Sequence, residues 1–388
     1  MVVEGSGAAA VPRALGVLVD GMTRGLHPGA LLYASVDGRP VADVAVGEAR
    51  AGTPMTPDSM VTWFSMTKPS VAVAIGQQWE RGALELDDPV ARHLPEFAVH
   101  GKETITLRHL LTHTAGIRGG DAVSSTAPGT AYWDEIVAGI CAVEREADWV
   151  PGARAGYHLS CGMTLLAEVV RRLDGRRFET YVREEVFEPL GMTDCWVGMP
   201  AAVVADYGER LGTMHSTATA TAVPLDAFDT VEALGRCIPG GGGRGTVRQL
   251  GRLYEALLAR GELDGTRVLL PQTVEAMTAR HRVGLYDETF HAVCDWGLGF
   301  AIDAYAMGRH SSPRAFGHGG ALSAISLADP ERGLVAVVQT NGMCGNDDHY
   351  LRLDAVTTAL YEDLAFVRAG AAGRDKPFPS VELSVSDD

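Results

Sequence analysis

The stretch Trp63-Phe64-Ser65-Met66-Thr67-Lys68-Pro69-Ser70, with the apolar run Val71–Ile75 that follows it, decides the fold of this chain. Residues three apart on a helix lie on the same side, so Ser65 is predicted to lie beside Lys68. The run after Lys68 is hydrophobic on every side, which predicts a buried helix. Because proline is tolerated in the first turn of a helix, Pro69 places the helix start close to Ser65.

A serine at this position can act as a nucleophile. The free N–H groups and the positive dipole end of the helix stabilise a developing alkoxide. A partly desolvated Lys68 is shifted toward its neutral form and can accept the serine proton. Among 33 basic residues, lysine occurs only at Lys68, Lys102 and Lys376. Because lysine is so scarce, its occurrence three residues after Ser65 strengthens the prediction of a Ser–Lys catalytic pair. The S-x-x-K motif alone is weak, and the competing interpretation is a capping serine with a surface lysine.

Composition and charge exclude several classes of function. The chain has 388 residues, of which 46% are hydrophobic and 21% charged, as in ordinary globular proteins. This length suits two lobes or one large domain. The formal net charge of −16 argues against binding nucleic acid or an anionic membrane.

No targeting, membrane or metal signal is evident in the sequence. Met1–Ala10 is small and acidic and does not resemble a secretory leader, and no apolar run approaches the length of a membrane span. The six cysteines are widely spread, so free buried thiols in a cytoplasmic protein are expected. Since His281, His291 and His349 lack metal-ligand spacing, we expect no metal and no cofactor.

Strands are predicted at both ends of the chain and helices between them. Asp37-Gly38 is a hairpin signal near the start. Four late segments are predicted as strands: Trp296–Ile302, Ala315–Gly317, Ala324–Leu327 and Leu334–Thr340. The middle of the chain is predicted to be mainly helical. This pattern suggests an α/β lobe made from both termini, with a helical lobe inserted.

A second candidate functional residue is Tyr157, which follows a Pro-Gly turn at Pro151-Gly152. A phenol can pass protons between a serine, a lysine and a leaving group. The alternative is a half-buried structural tyrosine with a paired hydroxyl.

A third piece is the glycine-rich segment Phe316-Gly317-His318-Gly319-Gly320-Ala321. Glycines let the backbone approach a ligand closely. A strand edge here can hold a substrate by main-chain hydrogen bonds and donate an N–H to an oxyanion. The alternative is a turn between strands with a surface histidine.

The order of these three motifs resembles the serine β-lactamase / penicillin-binding-protein superfamily. The most similar branch is the class C β-lactamase-related group, which includes the family VIII carboxylesterases. Supporting stretches are Leu110–Gly116, Glu188–Met192, Gly240–Leu253 and Ala328–Gly333. Three ordered motifs are more specific than any one of them.

This resemblance implies an α+β fold of the β-lactamase/transpeptidase type. An antiparallel sheet flanked by helices is expected from residues 1–64 and 240–388. Residues 65–239 are expected to form the inserted, mainly helical lobe, and the active site is expected between the two lobes.

The resemblance also implies roles for individual residues. Ser65 would be the nucleophile and Lys68 its partner base. Tyr157 would match the tyrosine of the family's Y-x-N element, where this chain has Leu159 in place of asparagine. His113 lies in a stretch that is frequent in the family, and we interpret it as structural packing at a helix end.

His318, Gly319 and Gly320 would match the family's K-T-G strand, with histidine replacing lysine. The N–H groups of Ser65 and Ala321 would form the oxyanion hole. The loss of the lysine charge and of the asparagine amide both weaken a β-lactamase assignment. They favour an enzyme that acts on esters or on a specialised acyl donor.

The sequence therefore predicts a serine acyl-enzyme hydrolase that acts on an ester or amide of a small-molecule acyl donor. An acyltransferase that passes the acyl group to an amine or alcohol stays open, because both share the acyl-enzyme. A β-lactamase, a D-aminopeptidase and a non-catalytic binding homologue are less favoured. The sequence leaves the oligomeric state open.

Substrate choice is predicted to lie in two loops. One is Gly119–Trp133, and the other is His281–Trp296, which carries Tyr286, Phe290 and Trp296. Aromatic loops on a rigid frame are common binding walls. The alternative is that both loops are surface connections over packed aromatic residues.

Overall fold

The computed structural model describes residues 2–126, 132–219 and 221–381. These described residues form thirteen α-helices, in chain order α1 Pro12–Thr23, α2 Lys68–Glu80, α3 Val90–His93, α4 Leu107–Leu111, α5 Gly120–Thr126, α6 Trp133–Ala142, α7 Cys161–Asp174, α8 Phe178–Val182, α9 Ala201–Tyr207, α10 Val231–Gly235, α11 Val247–Leu258, α12 Pro271–Thr278 and α13 Asn346–Asp363.

One antiparallel sheet organises the described chain. Its nine strands are β1 Val3–Ser6, β2 Gly29–Val36, β3 Arg39–Arg50, β4 Thr53–Pro54, β5 Asp295–Trp296, β6 Ala301–Ile302, β7 Phe316–Gly320, β8 Ala324–Asp329 and β9 Leu334–Thr340. The strand order is β1-β3-β2-β9-β8-β7-β6-β5, and β4 pairs with β3. Because β2 pairs with β9, the two ends of the chain meet in the middle of the sheet. The predicted antiparallel sheet flanked by helices is confirmed.

Short strands outside this sheet form four further ladders. One three-stranded sheet is formed by Val61–Thr62, Gly243–Gly245 and Trp196–Val197, and another by Gly342–Met343, His215–Ser216 and Val223–Pro224. Two hairpins are formed by Glu262–Leu263 with Thr266–Arg267 and by Tyr286–Asp287 with Ala292–Val293.

Helices cover both faces of the sheet, and a separate hydrophobic cluster lies on each face. On one face, α1 and α13 pack on the sheet through side chains such as Leu18, Leu32 and Leu353. On the other face, α11 packs on β2, β8 and β9, and α2 lies within the same cluster. Every residue of Val71–Ile75 is buried, so the prediction of a buried helix is confirmed. Each such valine or isoleucine contributes roughly 1.5–3 kcal/mol by its burial.

The helices from α2 to α10 all lie within residues 65–239, whereas every strand of the nine-stranded sheet lies outside that range. The boundaries of the two lobes stay a prediction. No helix within the described ranges is long and apolar enough to cross a membrane.

Three local predictions differ from the structure. Trp296–Ile302 is not one strand, because the chain turns between β5 and β6, with Gly299 at a φ of 83°. Strand β7 continues to Gly320, three residues beyond its predicted end. Much of the predicted loop Gly119–Trp133 is helix α5, and residues 127–131 of that loop lie outside the described residues.

Candidate active site

Ser65 lies in a 3-10 turn, Phe64–Thr67, that leads directly into α2. The α-helix therefore begins at Lys68, one turn later than predicted. Side chains three residues apart eclipse one another in a 3-10 turn. Lys68 Nζ accordingly donates to Ser65 Oγ over 2.7 Å.

The residue before the nucleophile has an unusual backbone. Phe64 has a φ of 48°, in the left-handed region that non-glycine residues rarely adopt. The Thr67 hydroxyl donates to the Phe64 carbonyl over 2.6 Å and accepts the N–H of Gly243 over 2.8 Å. A side chain on Gly243 would meet Thr67 Oγ1 at 2.5 Å. The glycine run therefore permits a close approach that holds the nucleophile turn.

Lys68 is fully buried and donates to two main-chain carbonyls as well as to Ser65. Its Nζ lies 2.7 Å from the oxygen of Leu159 and 2.6 Å from that of Gly240. Burial lowers the pKa of Lys68 to about 7, although the Asp121 carboxylate acts in the opposite direction. The side chain can therefore both bind a proton and give it up near neutral pH.

Tyr157 is buried beside this pair, with Lys68 Nζ 4.9 Å from its ring centroid. Burial raises the pKa of the phenol well above its usual value, and a hydrogen bond with the Ser65 side chain opposes that shift. The phenol stays protonated at neutral pH and can act as a donor. Four rings surround it at centroid distances of 4.4, 4.7, 5.6 and 5.9 Å, those of His113, Phe290, Trp296 and His318 respectively.

Side-chain acceptors hold five consecutive main-chain N–H groups, from Tyr157 to Cys161. Asp287 accepts the first over 3.1 Å, and His113 Nδ1 accepts the second over 3.1 Å. Asp121 accepts the last three, each over 2.8 Å. These contacts fix both the phenol of Tyr157 and the Leu159 carbonyl that binds Lys68.

Sequence reasoning missed Asp121 and Asp287 and described His113 only as packing. His113 Nδ1 accepts a hydrogen bond from the His158 N–H, and burial lowers the pKa of His113 well below its usual range, so the ring is neutral. Asp121 lies 38 residues before Leu159, in a segment predicted as a loop. No motif connects the acceptors with their partners, so no sequence signal was available.

Strand β7 places its end against the nucleophile turn. A side chain on Gly320 would lie 2.5 Å from the Trp63 carbonyl oxygen, so only glycine allows this approach without a shift. The N–H groups of Ser65 and Ala321 donate to no acceptor among the described residues. Both residues line one cavity, so both groups are available to an oxyanion.

His318 on the same strand is buried and neutral. Burial, together with the nearby Lys68, lowers its pKa to about 3, while the hydrogen bond to the Gly319 carbonyl acts in the opposite direction. Its Nδ1 lies 2.8 Å from the Gly319 carbonyl oxygen, which assigns the proton to Nδ1. Its Nε2 has no partner in the described part of the chain. This strand therefore offers an acceptor where the family's lysine would carry a positive charge.

The cavity at Ser65 has a volume of about 260 Å³. Of the three predicted wall residues, Phe290 and Trp296 line it. Tyr286 does not: it is 54% exposed, and its ring faces His291. A second cavity of about 720 Å³ lies on the other side of Leu159, which lines both.

The described residues contain no group of three or more His, Cys, Asp or Glu side chains that could hold a metal ion. All six cysteines are free, as predicted, and only Cys294 is not fully buried.

Known proteins resemble this chain in sequence and in overall fold. A sequence model of the beta-lactamase family matches residues 16–360. The esterase/beta-lactamase LipL of Mycobacterium tuberculosis is 29% identical over 361 residues, covering 86% of this chain and 81% of LipL. Esterase EstB of Burkholderia gladioli is 27% identical, and the match covers 82% of this chain and 85% of EstB. The crystal structure of a family VIII carboxylesterase superposes with a TM-score of 0.79 at 26% identity, covering 94% of this chain and all of that one.

Proposed function

The chain belongs to the beta-lactamase family, and we propose that it is a serine hydrolase that cleaves carboxylic esters through an acyl-enzyme on Ser65. One observation carries the proposal: Lys68 Nζ lies 2.7 Å from Ser65 Oγ in a buried site. The N–H groups of Ser65 and Ala321, which donate to no acceptor within the described ranges, supply the matching oxyanion hole. The esterase relatives support the same reaction class.

Acylation begins when neutral Lys68 accepts the Ser65 proton. Ser65 Oγ attacks the ester carbonyl, and the N–H groups of Ser65 and Ala321 bind the oxyanion. The ester C–O bond then breaks. Tyr157, a phenol beside the pair, donates a proton to the leaving alcohol and is reprotonated from Lys68.

Deacylation uses the same groups. Lys68, neutral again after reprotonating Tyr157, takes a proton from water, and the hydroxide attacks the acyl carbonyl. The Ser65 Oγ–acyl bond breaks, the carboxylic acid leaves, and Ser65 regains its proton. Catalysis therefore needs only groups that already lie within one buried network.

The ester assignment rests on two substitutions relative to the family pattern. Neutral His318 offers no positive charge to a β-lactam carboxylate. Leu159 is 41% exposed and offers no amide to grip a substrate. We expect kcat/KM for a chromogenic cephalosporin to fall below roughly 10⁴ M⁻¹s⁻¹, under the usual range for an enzyme on its own substrate.

The direct test is intact-mass analysis after reaction with an activated ester. The parent protein should gain one acyl group, and Ser65→Ala should gain none. Ser70→Ala removes a buried serine from α2, the helix that follows the nucleophile turn, and is the matched control, which should still be acylated. An adduct that persists in Ser65→Ala would refute the assignment.

The second cavity supports transfer to an alcohol or amine as a second candidate. It is lined by Phe64, Leu159, Ser160 and Gly241, so it offers space for an acceptor close to the nucleophile turn. Turnover of one ester should be followed with increasing alcohol or amine, and both products should be quantified. Transfer requires the new ester or amide to form at the expense of the free acid, whereas hydrolysis alone leaves the acid yield unchanged.

A further inference from the structure

Residues 371–381, which we call the C-terminal strap, run back along the cavity at Ser65. The strap has no helix or strand, follows α13, and lies beyond the residues that match the family model. Six of its residues line the cavity: Arg374, Asp375, Lys376, Pro377, Pro379 and Val381. The strap is therefore part of the candidate site although the family match does not include it.

Ionic contacts hold the first half of the strap. The Arg374 guanidinium donates to both carboxylate oxygens of Asp303, each over 2.6 Å. Lys376 Nζ lies 2.8 Å from the same carboxylate and 2.6 Å from Ser311 Oγ. Only 4% of the Lys376 side chain is exposed. Two cations thus share one partly buried carboxylate, and these contacts hold the first half of the strap against the protein.

Main-chain contacts hold the second half against the catalytic wall. The Ser380 N–H donates to the Phe290 carbonyl over 2.8 Å. The Asn346 side chain accepts the Val381 N–H over 3.0 Å and donates to the Pro379 carbonyl over 3.2 Å. Since the Phe290 ring also contacts Tyr157, the strap is joined to the residues around the nucleophile.

The surface enclosed by the strap is mainly apolar. It includes the side chains of Ile302, Leu322, Ile325 and Tyr350 with Pro379 and Val381 of the strap, and both of these strap residues are buried. Both strap cations are held by Asp303, whose carboxylate balances one of the two charges, and Asp375 of the strap also lines the cavity. An apolar cavity that starts at a nucleophile suits the acyl chain of the donor.

We propose that the C-terminal strap is a wall of an acyl-chain pocket, and that Val381 limits the length of the unbranched apolar acyl group. This inference rests on the proposed function, because it assigns the cavity to the acyl part of the ester. Its substrate class is an ester of an aliphatic carboxylic acid.

The test compares p-nitrophenyl esters from acetyl to decanoyl on full-length variants. Val381→Phe should lower kcat/KM at least roughly 10-fold for hexanoyl and longer esters and change acetyl turnover by less than about threefold. Val381→Ala should move the optimum to a longer chain. Ser380→Phe adds similar bulk at an exposed neighbouring residue outside the cavity. This variant should show the same dependence of kcat/KM on acyl-chain length as the parent.

An unchanged profile in Val381→Phe, or an equal loss for acetyl and long esters in a folded variant, would overturn the strap proposal. A binding experiment separates this failure from failure of the proposed function. Tryptophan fluorescence can follow linear methyl ketones binding to Ser65→Ala, since Trp296 lines the cavity. Val381→Phe in that background should weaken 2-octanone more than 2-butanone, even if the parent cleaves no ester. Equal effects on both ketones would refute the strap proposal.

Discussion

At the scale of single residues, catalysis depends on the charge of Lys68. Burial lowers its pKa to about 7, so a neutral fraction exists at neutral pH. Other titratable groups face it from several elements: the phenol of Tyr157, the carboxylate of Asp121, the thiol of Cys161, and the rings of His113 and His318. Burial keeps the phenol, the thiol and both rings neutral near pH 7, which leaves Asp121 as the charge that adjusts Lys68.

The pH profile of kcat/KM for a neutral ester should therefore rise through a midpoint of about 7 as Lys68 loses its proton. The value of kcat/KM rises with pH, rather than falling, because only the neutral amine can act as the base. Lys68→Arg is the control and should be inactive at every pH, because a guanidinium stays protonated. A rate that is flat from pH 5 to pH 9 would exclude Lys68 as the titrating base.

Asp121→Asn should disturb the site in two measurable ways. An asparagine presents an NH₂ where one carboxylate oxygen accepted an N–H, so the Leu159 carbonyl that binds Lys68 is displaced. We expect kcat/KM to fall roughly 10- to 100-fold, since catalytic groups are sensitive to small misplacement. Removing the negative charge also lowers the pKa of Lys68, so the midpoint of the pH profile should move to lower pH.

Asp134→Asn is the matched control for this change. Asp134 pairs with Arg171, 84% of its side chain is exposed, and it lies outside the site. It should leave both the rate and the midpoint unchanged. An Asp121→Asn enzyme with a lower rate but an unmoved midpoint would mean that Asp121 acts on structure alone.

At the scale of elements, the approach of β7 to the nucleophile turn sets the oxyanion hole. Gly320→Ala would bring a methyl group 2.5 Å from the Trp63 carbonyl, so strand and turn must separate. We expect kcat to fall by at least tenfold and the melting temperature to drop. Gly319→Ala is the matched control for stability, since its added carbon meets its nearest atom at 3.7 Å. Equal melting temperatures for both variants would contradict the argument.

Periodicity and short motifs predicted the elements that local sequence determines. The buried helix after Lys68 and the early hairpin both follow from short patterns. Contacts between distant segments could not be predicted in this way. The left-handed Phe64 is one example, because its turn is held by Thr67 together with Gly243 from another part of the chain. The contact between Ser65 and Lys68, in contrast, follows from their three-residue spacing, and the 2.7 Å distance from Lys68 Nζ to Ser65 Oγ confirms it.

At the scale of the whole molecule, the sheet joins the two ends of the chain, and the C-terminal strap adds a wall from beyond the last helix. The strap has neither helical nor strand periodicity, so its position depends on anchors such as Asp303 and Asn346 that sequence patterns do not connect. Substrate choice is therefore the part of the site that the sequence predicted least completely.

The overall charge should also influence which esters react. The net charge is −16, and the cations at the cavity are paired, with Arg280 bound to Asp295 over 2.8 Å and Arg374 and Lys376 bound to Asp303. An anionic ester should therefore be repelled during encounter. The ratio of kcat/KM for p-nitrophenyl hemisuccinate to that for p-nitrophenyl butyrate should be below one at low salt.

Raising NaCl from 10 to 300 mM should increase that ratio several-fold, because the Debye length falls from roughly 30 Å to below about 8 Å. The butyrate ester is the internal control, since a neutral substrate should respond little to salt. A choline ester should show the opposite trend, because the same field attracts a cation. If the hemisuccinate ratio instead falls with salt, an unpaired local cation must dominate the field at the cavity, and the net charge does not govern access to Ser65.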